Sequence, residues 1–133
     1  MEEVSTPALF EICGRPGIRI IDVRSPDAYN GWALKGESRG GHIKGARNFP
    51  RKWTGYMDWI EMARRKDLRE DEEMVFYGYS REETELVAGV FRRAGYSRTR
   101  VYDHFFDEWV RNEALPMDRL HRFDRLVPAR WVR

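Results

Sequence analysis

At 133 residues the chain suits one domain with a hydrophobic core of its own. Its 24 basic and 22 acidic residues leave a net charge of only +2, which argues against a nucleic-acid partner. A single cysteine, Cys13, excludes an internal disulfide and a multi-cysteine metal site. No apolar run approaches the roughly 20 residues that cross a bilayer, so no membrane partner is expected. Residues 1–17 lack a basic start followed by an apolar stretch, so no signal peptide is expected and a cytoplasmic location is.

In chain order, Thr6-Pro7 predicts a helix start, with Thr6 as N-cap and Pro7 in the first position, and Gly14 ends that helix. Residues 18–23, Ile-Arg-Ile-Ile-Asp-Val, read as a strand buried on both faces, as in a parallel sheet. Ser25-Pro26 opens a second short helix that reaches about Gly31. Four glycines in residues 35–45 predict a long loop. A short strand at 46–49 is closed by Pro50, and a helix follows over 53–65 with Trp53, Met57, Ile60 and Met62 as its inner stripe. Met74-Val75-Phe76-Tyr77 is the next strand; after a loop of six residues, 78–83, a helix runs from Thr84 to a stop at Gly95, with Leu86, Val87, Val90 and Phe91 on one face. A strand at 99–102 and a helix at 105–112, burying Phe105, Phe106, Trp109 and Val110, complete the pattern. Strands alternating with helices predict an α/β fold of three layers, α/β/α, around a mainly parallel sheet of about five strands. In such sheets the site lies at the carboxyl ends of the strands, so Asp22, Gly78 and Asp103 are expected to converge there.

Two separated motifs carry a family resemblance. Ile21-Asp22-Val23-Arg24-Ser25-Pro26-Asp27-Ala28-Tyr29 is followed in order by Gly41-His42-Ile43-Lys44-Gly45-Ala46-Arg47-Asn48-Phe49-Pro50. Together they resemble the rhodanese (thiosulfate sulfurtransferase) homology domain over roughly residues 4–117. The resemblance implies that a catalytic cysteine, which carries a persulfide between sulfur donor and acceptor, belongs directly after the fourth strand. In this sequence Gly78 holds that position. The family's loop often has an arginine near its end; here Glu82 and Glu83 stand there, with Arg81 slightly early. The family's paired glycines after the last strand fall at about His104-Phe105, and an insertion of eight residues, 33–40, separates the two first motifs. A thiolate needs loop amides and a helix N-terminus around it, and glycine supplies no sulfur. Two loop carboxylates would also oppose an anionic substrate.

The pocket residues singled out are Gly78, Tyr79, Ser80, Arg81, Glu82, Glu83, Thr84, Asp22, Arg24 and His104. Asp22 and Arg24 are expected to hold loops by hydrogen bonds and ion pairs rather than to shape a site. His42, in a turn motif, is expected to make a structural hydrogen bond; His104, nearer the loop, is the better acid–base candidate. Asp103, His104 and Asp107 have no diagnostic metal-ligand spacing, so neither metal nor cofactor is expected. Cys13 lies on the first helix, far from the strand ends. Trp53, Tyr56 and Trp59 fit a packed helix rather than a base-stacking platform. In the loop after residues 74–77 a cysteine phosphatase would need Cys followed six places later by Arg; Gly78 and Thr84 stand there instead.

Residues 118–133 are read as a basic extension: from Arg119 to Arg133 it carries five arginines against one aspartate. Residues 126–132 look like the domain opening at 4–9 repeated, which makes a second rhodanese-like domain or subunit the expected partner. The leading reading is a catalytically silent rhodanese-like domain, structural or regulatory, in a multi-domain thiosulfate sulfurtransferase. Its rivals are a free-standing module binding a protein or anion through residues 78–84, and an enzyme of other chemistry using His104 with the loop carboxylates.

Overall fold

The computed structural model describes residues 2–119. The basic tail from residue 120, with the repeat-like segment 126–132, lies outside the described residues.

Helix α1 (Thr6–Ile12) leads into strand β1 (Ile18–Asp22) and helix α2 (Pro26–Asn30). Two short strands, β2 (His42–Ile43) and β3 (Arg47–Asn48), precede a 3-10 turn (Arg51–Gly55) and helix α3 (Trp59–Arg65). Strand β4 (Glu73–Tyr77), helix α4 (Arg81–Arg93) and strand β5 (Thr99–Tyr102) follow. A π-helical turn (Phe105–Trp109) and strand β6 (Met117–Asp118) close the described chain.

The central sheet has order β3-β1-β4-β5, and every neighbouring pair in it is parallel. It has four strands where about five were expected. The fifth contribution is a single parallel bridge, Glu3 to Val101, with Val4 N donating to Val101 O at 2.8 Å. The sheet is buried on both faces, as its near-continuous apolar strands require. Ile20, Val75, Tyr77 and Tyr102 pack with Val4, Leu9, Phe105 and Trp109 on one side. Ile21, Met74, Phe76 and Val101 pack with Ala63, Val87, Ala88 and Phe91 on the other. A separate antiparallel pair, β2 with β6, joins Ile43 to Met117 and His42 to Asp118.

Several elements differ from expectation for local physical reasons. Ser5, rather than Thr6, caps α1, because its hydroxyl accepts from Ala8 N while Thr6 turns its hydroxyl to Tyr102. The expected helix over 53–65 is broken after Gly55, a poor helix former, where Tyr56 becomes extended; Met57 is then fully exposed instead of inward. The segment 35–45 contains strand β2, whose partner lies in β6 and leaves no trace in local composition. The last helix is shorter and π-wound: Val110 N donates to Phe105 O, and the carbonyls of Trp109 and Val110 at its end are taken by Arg39 from outside the helix. Phe106 is only half-buried, edge-on to Tyr79 at 6.3 Å. No described helix is long and apolar enough to cross a membrane.

Candidate functional site

The carboxyl ends of β1, β3 and β4 converge on one polar network. Asp22 ends β1 fully buried, and the chain turns so that Arg24, two residues on, folds back onto it. Arg24 Nη2 donates to Asp22 Oδ2 at 2.7 Å and Arg24 Nε to Asp22 Oδ1 at 3.0 Å, a bidentate fork. Arg24 also donates to Gly41 O, and Asn48 from β3 bridges the carbonyls of Asp22 and Arg24 at 3.0 Å each. Tyr77, the last residue of β4, donates its hydroxyl to Asp22 Oδ2 at 2.8 Å and accepts from Ile43 N at 2.9 Å. The guanidinium lies 4.5 Å from the Phe105 ring centroid and 5.0 Å from that of Tyr79.

The insertion completes this network. Glu37, with a side chain of zero exposure, meets Arg24 Nη1 at 3.3 Å and accepts the Tyr79 hydroxyl. The lone Lys35 amide donates to its other oxygen at 3.0 Å. Two residues on, Arg39 donates to the carbonyls of Trp109, Val110, Asn112 and Leu115, and Ser38 also reaches Val110 O. Residues 33–40 are thus a strap across the strand ends, fastened to the β1 and β4 turns on one side and to the segment after β5 on the other. Burial pushes the Tyr77 phenol well above its ordinary range, and Asp22 adds to that. Burial, then the bond to Glu37, pushes Tyr79 up to about 12. Burial alone would lower Arg24, but its pairing with Asp22 raises it on balance, so the guanidinium stays charged.

The turn after β4 is shorter than its sequence implied. Ser80 caps α4 by accepting from Glu83 N at 3.2 Å, so the helix starts at Arg81 and only residues 78–80 form the loop. The reason is the pattern Ser-x-x-Glu, with Glu82 and Glu83 in the first turn at the positive end of the helix. Of the backbone amides in residues 78–83, that of Glu83 is taken by the Ser80 hydroxyl. Gly78 abuts Val23 and Thr84: a β-carbon there would lie 2.7 Å from Val23 Cγ2 and 3.1 Å from Thr84 Oγ1. Thr84 itself is buried and donates to Ser80 O at 2.8 Å.

The structure therefore brings together Asp22, Arg24, Gly78, Tyr79 and Thr84, and it separates the others. Arg81 turns away to Glu3, to Glu85 at 3.2 Å and to Asp103 at 3.7 Å. Glu82 is exposed, and Glu83 reaches Arg51 at 3.6 Å. His104 pairs with Asp107 at 3.3 Å and Glu108 at 3.4 Å, and lies 3.8 Å from Glu3. It does not converge with Glu82 or Glu83, and its hydrogen bond to Asp107 raises its pKa. Ligand atoms of His104, Asp107 and Glu108 fall within 4.8 Å of one another on the surface; the trio includes Glu108 where Asp103 was weighed. His42 does make a structural contact: its Nδ1 lies 2.7 Å from Tyr29 O, its ring stacks on Tyr29 at 3.7 Å, and burial lowers its pKa.

Cys13 caps the far end of α1, bonded to Phe10 O at 3.3 Å, and burial raises its thiol pKa. It precedes the start of β1, whereas Gly78 follows the end of β4; the five-residue strands put about 13 Å between those two edges. Sequence reading missed Glu37, Arg39, Asn48 and Tyr77. Two signals pointed their way: a hydroxyl at the end of an apolar strand needs a partner when buried, and the insertion carries a carboxylate and a guanidinium two residues apart. A cleft of about 590 Å³ opens beside the network, lined by Val23, Pro26, Pro50, Trp53, Glu83 and Leu86, among others.

A family model described as the rhodanese-like domain matches residues 7–112. The chain belongs to the rhodanese-like domain family. No curated protein matches it. Among solved structures it is similar to EanB: a variant in complex with ergothioneine is 46% identical with a TM-score of 0.90, over 98% of this chain and 31% of that one. A variant in complex with hercynine gives 46% and 0.90, over 98% and 30%. A variant carrying a cysteine persulfide, in a tetrahedral intermediate state with ergothioneine, gives 47% and 0.89, over 98% and 31%. This rhodanese-like chain spans about 31% of the length of the EanB structures it matches.

Proposed function

We propose that this chain is a catalytically silent rhodanese-like domain of a larger sulfurtransferase, in which it plays a structural or regulatory part beside a second rhodanese-like domain or subunit. The observation that carries the reading is Gly78: the residue after β4, where the family's persulfide would be held, has no sulfur and no room for a β-carbon. Three further features support it. Glu82 and Glu83 offset the positive end of α4, which would otherwise attract a thiolate or an anion. The strap and its Glu37 cover the strand ends. The one thiol lies at the opposite edge of the sheet, with its pKa raised. The larger protein is suggested by the share of EanB that the chain spans. EanB carries a persulfide in a structure with ergothioneine, so sulfur transfer to a small betaine of that kind, or from thiosulfate, is the chemistry we assign to the whole assembly.

The test is a thiosulfate–cyanide assay on the chain, read as thiocyanate. The expected result is no turnover. Clear turnover that persists in Cys13→Ser would overturn the reading. A second reading, a free-standing binding module, is favoured by the cleft beside Glu83, whose floor of Val23, Trp53 and Leu86 is flanked by Arg51 and Lys52. A tight complex formed with no sulfurtransferase partner would decide for it.

A further inference from the structure

We infer that Glu37 is the built-in occupant of a carboxylate-binding hole above the sheet, and that residues 33–40 act as a plug that keeps this hole filled. The inference does not depend on whether the domain is silent. Three donors converge on one carboxylate: Arg24 Nη1 at 3.3 Å and the Tyr79 hydroxyl on one oxygen, and the Lys35 amide at 3.0 Å on the other. Two of the three belong to the sheet's own turns. Other contacts than Glu37 hold them: Asp22 fixes the guanidinium by two parallel bonds, and the Tyr79 ring lies against that guanidinium at 5.0 Å and edge-on to Phe106 at 6.3 Å.

The charge balance makes Glu37 unusual. Asp22 already neutralises Arg24, so Glu37 is a second carboxylate on the same guanidinium. Both side chains are buried, Arg24 at 1% exposure and Glu37 at zero. A buried carboxylate in excess of its cation is tolerated only where shaped donors replace its water. Those donors therefore constitute a receptor for a carboxylate, and the fold delivers one from within. The delivery is enforced next door, where Ser38 and Arg39 grip the carbonyls of residues 109–115. The contact is autoinhibitory in form, since an internal anion occupies the place that an external one could take.

Glu37→Ala removes the atoms beyond Cβ, which have the shape of acetate. The variant should melt several degrees below the wild-type protein. Sodium acetate should raise its melting temperature saturably and restore about half of the loss or more, because a ligand that binds only the folded state stabilises it. Sodium chloride at equal ionic strength and neutral acetamide should not. The wild-type protein and Glu37→Gln should show no saturable response, and adding Tyr79→Phe to Glu37→Ala should weaken the acetate response about tenfold. The proposal fails if Glu37→Ala responds to acetate no more than the wild-type protein does, or if acetamide works as well. If Glu37→Ala does not fold in plain buffer, refolding it in acetate against chloride gives the answer: folded protein recovered in acetate alone supports the hole, and recovery in neither or equally in both overturns it.

Discussion

A side chain at position 78 meets Val23 Cγ2 and Thr84 Oγ1, and neither can yield cheaply: Val23 is 1% exposed in the core, and Thr84 is held by Ser80. Gly78→Ala should therefore destabilise the domain by about 1–3 kcal/mol, the usual cost of overpacking, and urea unfolding will measure it. Gly78→Cys should lose as much or more and still form no thiocyanate. A variant as stable as the wild-type protein would show that Val23 moves aside freely. Nothing in the sequence pattern marks this confinement. Spacing placed Gly78 after a strand; only packing shows that Val23 closes over it.

The strap of residues 33–40 was visible in the sequence only as length between two motifs. Its glycines signalled a loop, and a loop it is, yet the four-carbonyl grip of Arg39 depends on residues some seventy positions away. Local pattern cannot encode such a partner. By contrast, β1, α2, β4 and β5 were legible because β-branched runs, the pair Ser25-Pro26 and a terminal Gly31 act within a few residues. Helix α4 starts at Arg81, three residues before the apolar pattern alone suggests, because Ser80 with Glu83 forms a cap and the two glutamates fill its first turn. Arg39→Ala should cost about 1–3 kcal/mol, since it strands several carbonyls at once. Hydrogen exchange should then accelerate together in residues 33–40 and 109–115, and not in β1 or β4. Faster exchange in only one of the two segments would mean that the strap does not tie them.

At the scale of the whole molecule, two histidines pull stability in opposite directions with pH. The folded-state pKa of His104 is raised, chiefly by its bond to Asp107, so its contribution is complete below about 6.5 and is lost as pH rises through the folded value. With 36% of its side chain exposed, it is screened by solvent and worth only a few tenths of a kcal/mol. Burial lowers the pKa of His42, so its contribution is complete above about 6.5 and is lost as pH falls through the folded value. Nitrogen-15 spectra of the imidazole rings should place the midpoint of His42 below about 6.5 and that of His104 above it. His104→Gln should flatten the alkaline slope of stability and leave the acid slope unchanged.

The bridge from Glu3 to Val101 covers the open side of β5, and at the other end β3 stops after two residues before Pro50, which has no amide hydrogen to give. Among the described residues, neither border of this central sheet offers a long run of unpaired main-chain groups for a neighbouring chain to template on. A neighbour that docks along the borders of this sheet would therefore meet side chains before backbone. Backbone zippering along them is thereby discouraged, and with that a route by which sheet proteins stick to one another by accident.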